Sequence, residues 1–299
     1  MKLLMLVNSN AGRKKGRSVA EQSLNAFLKH GIDVECCYSE YPGHLSEIAE
    51  REVKEDWDGI AAVGGDGTLF EIINGMMLGD ENLPIPLGVI PVGTGNSFSR
   101  DLAISSIDDA VLNIINGQTR HVDLGKCTCD DRTFYFVNIL GFGFVSDVAR
   151  QASLYKNLGD LSYIIGVFLI TIRLESYRLD FEIDGRSFQR DNIFVEICNS
   201  TKTGGDMIMA PQARFDDGLL DVVILNKISR LGLLSALPKI FKGTHVQLPE
   251  VETFKGRQMS FHPEAAKILT PDGEITGLTP ITVSVLPGKI RVFDSWSDR

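Results

Sequence analysis

Two glycine-rich turns constrain the fold of this chain more than any other feature. The first is Val63-Gly64-Gly65-Asp66-Gly67-Thr68-Leu69, and the second is Pro91-Val92-Gly93-Thr94-Gly95-Asn96. Each follows an apolar run and leads into a helix-like stretch. Glycine permits a positive φ and a close backbone approach, so such turns can aim several N–H groups at a phosphate, and the following helix adds a favourable dipole. The pair predicts a nucleotide held between neighbouring strands.

Asp66 distinguishes the first turn, because it places a carboxylate inside an anion-binding loop. A carboxylate there repels phosphate unless a cation or a substrate hydroxyl intervenes, which favours Mg2+ bridging or proton abstraction. The alternative is a plain strand-to-helix turn in which Asp66 caps the following helix. The second turn, one βα unit later, favours the phosphate-binding interpretation.

The first part of the chain, to about residue 120, alternates between strand-like and helix-like segments. Nearly continuous apolar strands joined by helices predict a parallel sheet with helices on both faces. The predicted strands are Leu3–Val7, Asp33–Tyr38, Gly59–Val63 and Leu87–Ile90, and the predicted helices are Ser18–Lys29, His44–Lys54, Thr68–Leu78 and Asp108–Asn116.

Strand-like segments dominate after residue 120, and turns such as Asp184-Gly185 and Asp272-Gly273 separate many of them. This pattern is typical of an antiparallel sandwich. The predicted strands are His121–Cys129, Thr133–Ile139, Leu179–Ile183, Asn192–Cys198, Leu220–Leu225, Gln258–Phe261, Ala266–Leu269 and Ile281–Val285. Two helices are predicted at Leu161–Leu174 and Leu231–Phe241; the first is apolar nearly all round, so we expect it to be buried or to face lipid.

Composition narrows the class of function. The apolar fraction of 43% is that of an ordinary globular protein, and a net charge of −9 argues against a general nucleic-acid binder. No apolar run reaches the ~18 residues that a membrane span needs. We therefore expect a cytoplasmic protein, or one peripheral at the inner membrane surface. The five cysteines form no C-x-x-C pair, and we expect them to be reduced thiols.

The two turns also carry a family resemblance, together with further segments that occur in the same order. These segments are Ser97–Leu102, Asn138–Phe144, Ala210–Ala213, Asp216–Asp221 and Asp272–Glu274. Together they resemble the diacylglycerol kinase catalytic family, which includes bacterial lipid kinases and the sphingosine and ceramide kinases. The match covers nearly the whole chain, although GGDGT alone is shared with NAD kinases.

The resemblance implies an N-terminal NAD kinase-like three-layer α/β domain over residues 1–120 and a C-terminal antiparallel β-sandwich domain over residues 121–289. It implies that the last residues, about 290–299, return to the first domain.

The resemblance also implies which residues form the site. Nucleotide contacts fall on Asn8, Ser9, Asn10, Ala11, Gly12, Ser39, Gly64, Gly65, Asp66, Gly67, Thr68, Leu69, Phe70, Thr94 and Asn96. A structural Mg2+ falls on the Asp217 side chain and the carbonyls of Arg214 and Leu219. The proton acceptor comes from Asp272-Gly273-Glu274, where both carboxylates are candidates, and Asp66 is a further catalytic carboxylate. One departure is Ser97, where many members have Asp.

These implications predict an ATP- and Mg2+-dependent lipid kinase that phosphorylates a hydroxyl of a diacylglycerol-like or related lipid at a membrane surface. The nucleotide is expected on the GGDGT loop, in the cleft between the domains. One alternative is a small-molecule kinase of the NAD kinase type; the long β-rich half and the DGE segment count against it. The other is a non-catalytic nucleotide- or lipid-binding regulator, against which the retained carboxylates count. Neither the acceptor lipid nor the oligomeric state is predicted.

Overall fold

A computed structural model describes residues 1–93, 95–130, 132–153, 171 and 174–294 of the chain. It contains two compact units. The first consists of Met1–Leu124 together with the chain from Pro287 onwards, and the second is Gly125–Leu286.

The first unit is built on a parallel sheet. Its strands lie in the order β2-β1-β3-β4, and the end of a later strand, β16 (Ile281–Phe293), adds a further parallel strand beside β4. Nearly every residue of β1, β3 and β4 is buried, which explains why these strands read as continuous apolar runs. The strands are β1 (Lys2–Val7), β2 (Asp33–Tyr38), β3 (Gly59–Gly64) and β4 (Leu87–Pro91). The helices are α1 (Ala11–Lys14), α2 (Gly16–Lys29), α3 (His44–Glu52), α4 (Asp66–Gly79), α5 (Ser97–Asp101) and α6 (Ile107–Asn116).

The second unit is antiparallel. Its main sheet has the order β13-β12-β9-β8-β14-β16, and β7 pairs with β9 and with β15. The strands are β5 (Thr119–Cys129), β6 (Arg132–Phe136), β7 (Ile139–Gly143), β8 (Tyr177–Ile183), β9 (Arg186–Cys198), β10 (Lys202–Thr203), β11 (Met207–Ile208), β12 (Leu220–Asn226), β13 (Val251–Gly256), β14 (Gln258–Pro263), β15 (Leu269–Pro271) and β16 (Ile281–Phe293). The helices are α7 (Phe144–Ser153), α8 (Arg230–Ile240) and the 3-10 helix Thr244–Gln247. The predicted fold class, an α/β unit followed by a β-sandwich unit, is confirmed.

Several predicted strand boundaries in the second unit are wrong. The segment Thr133–Ile139 is two strands, β6 and β7, because the chain turns away from the ladder at Val137 and Asn138. The strand predicted at Ala266–Leu269 begins only at Leu269. The last strand continues through Pro287 and Gly288 to Phe293, and β13 was not predicted.

Two predictions fall outside the described residues. One is Thr94, and the other is the apolar helix Leu161–Leu174, of which only residues 171 and 174 are described. Within the described parts of the chain, no helix has the length and apolar character that crossing a membrane requires.

Candidate active site

The loops that follow β1 and β2 meet through their serines. The Ser9 N–H donates to Ser39 Oγ at 3.2 Å, and Ser9 Oγ donates to the Ser39 carbonyl at 3.2 Å. The carboxyl ends of parallel strands lie at one edge of a sheet, so loops of neighbouring strands are brought side by side. Ser39 therefore lies against the first predicted nucleotide loop, Asn8–Gly12.

The first loop is in turn joined to the GGDGT turn. Asn8 donates from its backbone N–H to the Val63 carbonyl at 3.0 Å, and from its side-chain amide to Thr68 Oγ1 at 2.9 Å. The loop then passes through left-handed backbone at Gly12, Arg13 and Lys14, with φ of 56°, 59° and 70°. For the two non-glycine residues this conformation costs roughly 1–3 kcal/mol each, and such strain clusters at ligand sites.

The GGDGT turn is closed tightly by its own residues. A Cβ added to Gly64 would lie 2.2 Å from Thr68 Oγ1, so no other residue fits there. The Thr68 and Leu69 N–H groups both donate to the Gly65 carbonyl, which winds the first turn of α4. Thr68 and Leu69 are buried, whereas the stretch Gly65–Gly67 is half-buried. The backbone of 65–67 thus lies at the surface, at the N-terminus of a helix whose first N–H groups have no intrahelical acceptor.

Asp66 caps a helix, but not the one that the alternative interpretation expected. Its carboxylate accepts hydrogen bonds from the Ser97 N–H at 2.9 Å and the Phe98 N–H at 3.3 Å, at the start of α5. The N-cap residue of α4 is Gly65, which has no side chain with which to cap the helix. Asp66 therefore ties the GGDGT turn to the second glycine turn, and its placement depends on both.

The second turn contributes an acceptor without a partner. Asn96 has left-handed backbone (φ 51°), and its amide nitrogen donates to the Gly93 carbonyl at 3.0 Å. Its Oδ1 is buried, and no hydrogen-bond donor reaches it within the described part of the chain. A Cβ added to Gly65 would lie 3.4 Å from this oxygen, so it faces the GGDGT turn. Because Gly12 also lies against Val92 and Gly93, all three glycine-containing loops converge at one place.

In the second unit, the two candidate proton acceptors differ sharply. Asp272 is buried, and its carboxylate accepts three backbone N–H groups, from Val137 at 3.0 Å, Asn138 at 2.9 Å and Ile139 at 3.1 Å. Glu274, two residues later, is exposed. The Asp272 carboxylate is therefore bound by the backbone in the interior, whereas the Glu274 side chain lies at the surface.

The carboxylate of Asp217, the predicted side-chain ligand of Mg2+, is paired with a lysine ammonium. Lys255 Nζ lies 3.0 Å from Asp217 Oδ2 and 3.3 Å from Asp221 Oδ2, and it donates to the Gln212 carbonyl at 3.5 Å. The other Asp217 oxygen accepts the Leu219 N–H at 3.0 Å. Burial acts to lower the pKa of Lys255, but the hydrogen bonds to the two aspartates and their negative charges outweigh this and raise it. The residues present, as arranged, do not fit a resident Mg2+ ion, because a fixed positive charge already neutralises the carboxylates.

The sequence analysis does not identify two residues with notable charges, Lys255 and Glu196, and the reasons differ. Lys255 lies on β13, opposite Asp221 in the strand register, and no local pattern links it to Asp217. Glu196 had a visible signal, a single carboxylate within the apolar run Ile193–Cys198. It is almost wholly buried on β9 next to Gly141, and burial raises its pKa to about 8.

Comparisons with known proteins agree with this architecture. Residues 2–127 match the model of the diacylglycerol kinase catalytic domain, and residues 138–294 match that of the YegS C-terminal NAD kinase beta sandwich-like domain. A diacylglycerol kinase of Bacillus subtilis is 29% identical over 280 residues, covering 92% of this chain and 90% of the relative. One of Staphylococcus aureus is 30% identical over 294 residues, covering 97% and 91%. Sphingosine kinase 1 of Arabidopsis thaliana is 26% identical, covering 91% of this chain and 66% of the relative.

Solved structures show the same fold. A diacylglycerol kinase from Bacillus anthracis superposes with a TM-score of 0.73 at 20% identity, covering 98% of this chain and 97% of that one. A second structure from the same organism has a TM-score of 0.81 at 24% identity with the same coverage.

Proposed function

This chain belongs to the diacylglycerol kinase family, and from that membership we infer that it is a lipid kinase, which transfers a phosphoryl group to an alcohol group of a lipid. Both halves of the chain match the family, and relatives named diacylglycerol kinase align over more than nine-tenths of its length. The observation that carries the finer proposal is the convergence of the three glycine-containing loops at the ends of β1, β3 and β4.

We propose that ATP is the phosphate donor and that these loops hold it. The backbone of residues 65–67 opens α4, where N–H groups and the helix dipole favour phosphate. Asn96 Oδ1, which no donor among the described residues reaches, supports a ligand here, because a buried acceptor without a donor costs about 1–3 kcal/mol unless something binds it. A nucleotide amine or hydroxyl would supply that donor.

Asp66 is suited to the metal ion that accompanies ATP. It is the one acidic residue in the sequence of the three loops, and its oxygens accept the Ser97 and Phe98 N–H groups. Carboxylate oxygens are the ligands that a hard cation such as Mg2+ prefers. Mg2+ bound with the nucleotide would neutralise charge on the transferred phosphoryl group. Asp66, held rigidly by the α5 N–H groups, would fix the position of that ion.

We propose Glu274, rather than Asp272, as the proton acceptor. A base needs a lone pair that can reach the lipid hydroxyl, and three N–H groups already occupy the Asp272 carboxylate. Glu274 is exposed and has no hydrogen-bond partner for its side chain within the described residues. In the transfer the lipid oxygen bonds to the γ-phosphorus, the bond to the β-phosphate oxygen breaks, ADP leaves, and the hydroxyl proton passes to Glu274.

The test is label transfer from γ-labelled ATP, with Mg2+, to lipids in mixed micelles. The panel contains diacylglycerol, monoacylglycerol, phosphatidylglycerol, ceramide and sphingosine, with NAD as the non-lipid acceptor. Asp66→Asn keeps a capping acceptor and loses the charge, and Glu274→Gln keeps the shape and loses the base. Glu81→Gln, an exposed acid-to-amide change outside these loops, is the control.

We expect label on a lipid with wild type and Glu81→Gln, and a loss of about 100-fold or more with each of the other variants. Label on NAD would instead support a small-molecule kinase of the NAD kinase type. Folded protein that binds ATP and labels nothing would support a non-catalytic regulator.

A further inference from the structure

Helix α8 carries two apolar faces. One packs into the core of the second unit through the buried side chains of Leu233 and Ala236, with Leu237 packed against the same core. A helix on the surface of a globular protein normally has a single such stripe and a polar opposite face.

The other apolar face is exposed. Leu231 is 80% exposed and Phe241 is 58% exposed, the two highest values among the large hydrophobic side chains of the second unit's described residues. The half-buried Leu234 and the exposed Pro238 lie between them, and the separations of three, four and three residues place all four side chains on one side of the helix. Single exposed apolar residues need no explanation, but a continuous stripe indicates an interaction surface.

The charge of this segment is opposite to that of the chain. Residues 227–249 contain Lys227, Arg230, Lys239 and Lys242 and neither Asp nor Glu, whereas the chain has a net charge of −9. None of the four forms an ion pair within the described part of the chain, and all but the half-buried Lys239 are exposed. Arg230 is the first residue of α8, where the helix dipole disfavours a cation. An external anion would relieve that arrangement.

We propose that the exposed face of α8, formed by Leu231, Leu234, Pro238 and Phe241 with its flanking cations, docks on an anionic lipid bilayer. The inference rests on the proposed lipid kinase function, because the acceptor of such an enzyme resides in a membrane. Apolar side chains between lysines and arginines are what interfacial helices present to acidic headgroups. A second copy of this chain fits poorly, since a symmetric contact would bring the same cations face to face.

Vesicle co-sedimentation tests the proposal directly. Vesicles of phosphatidylcholine with and without phosphatidylglycerol are mixed with wild type, with Leu231→Ser/Phe241→Ser, and with Arg230→Gln/Lys242→Gln. The matched controls are Leu28→Ser/Leu78→Ser and Lys29→Gln/Lys54→Gln, which alter exposed residues of the first unit. Label transfer to a dispersed short-chain acceptor lipid is measured on the same samples, and size-exclusion chromatography gives the oligomeric state.

We expect wild type and both controls to bind the anionic vesicles, more weakly as salt rises, and each α8 variant to bind at least roughly tenfold more weakly. Transfer to the dispersed lipid should be unchanged in all of them. Binding of the α8 variants at wild-type strength would overturn the proposal, and so would conversion of a wild-type dimer to a monomer by the leucine and phenylalanine changes. Vesicle binding without any transfer would contradict the kinase function and support the docking surface alone.

Discussion

At the scale of single residues, Asp272 shows how a motif carboxylate can serve the fold. Its two oxygens accept the N–H groups of residues 137–139, at the break between β6 and β7, more than 130 positions away in the chain. Those N–H groups lie where the chain passes from β6 into β7, and without the carboxylate they would be buried without an acceptor. The carboxylate therefore substitutes for a missing strand partner.

Asp272→Asn should lower the free energy of unfolding by about 2–3 kcal/mol, because an amide N–H2 would replace one oxygen against an N–H donor. Chemical denaturation of the full chain measures this. Glu274→Gln, two residues away and exposed, should leave the free energy unchanged while removing transfer. Equal stability of Asp272→Asn and wild type would show that the buried oxygens are not needed as acceptors.

Glu196 makes the stability of the protein depend on pH. Its ordinary pKa is 4.5, and burial raises it to about 8 in the folded state. Between these values the folded state binds the proton that the unfolded state has released, so stability should fall as pH rises, by roughly 1.4 kcal/mol per unit, and level off above about 8. Glu196→Gln, neutral at every pH, should remove most of this slope. Denaturation midpoints measured from pH 5 to about 9 test this, and parallel curves for both proteins would contradict it.

At the scale of elements, the turn before β12 is held by β13. The Lys255 ammonium bridges Asp217 and Asp221 across this pair of strands, at 3.0 and 3.3 Å. Since the positive charge comes from the chain itself, the turn needs no divalent ion to neutralise its carboxylates.

Without nucleotide, Mg2+ should leave the melting temperature of the wild type unchanged. Lys255→Met should lower the free energy of unfolding by about 1 kcal/mol, a modest value because the side chains are partly exposed, and Mg2+ should recover part of it by taking the freed carboxylates. Differential scanning calorimetry with Mg2+ or with chelator makes the comparison. A wild type that Mg2+ stabilises as strongly as the variant would show that a metal site exists beside Lys255.

The same scale explains what the sequence could predict. The sequence predicts the parallel strands to within a residue or two, because a short apolar run bounded by polar residues or glycines is a local signal. The break at Val137 and Asn138 depends on Asp272, and the placement of Asp66 depends on Ser97. Such partners lie 31 to 135 residues apart in the chain, beyond the reach of any local pattern. The sequence therefore predicts the glycine turns, but it does not predict the hydrogen bonds that orient the Asp66 carboxylate.

At the scale of the whole molecule, the end of the last strand, β16, belongs to the first unit. It leaves that unit after Leu124 and returns at Pro287, and Val292 then pairs with Leu87 of β4. Asp294 anchors the return, since its buried carboxylate lies 3.4 Å from Arg120 and its N–H donates to the Gln118 carbonyl at 3.0 Å. The unit proposed to bind the nucleotide therefore depends on residues synthesised after the entire second unit.

Phe293 provides a sharp test of this dependence. Its ring fills a space that two glycines leave open: a Cβ on Gly59 would lie 2.6 Å from the ring and one on Gly88 would lie 3.5 Å from it. Phe293→Ala should therefore lower the free energy of unfolding by about 3–5 kcal/mol through lost burial and the cavity left behind. Phe241→Ala, which truncates an exposed ring, is the matched control and should cost under about 0.5 kcal/mol. The lost packing lies in the first unit, so the thermal unfolding midpoint of Phe293→Ala without ATP should be lower than that of the wild type. ATP should then raise the midpoint from this lower value. A variant with the wild-type midpoint would show that β3 and β4 hold together without the returning strand.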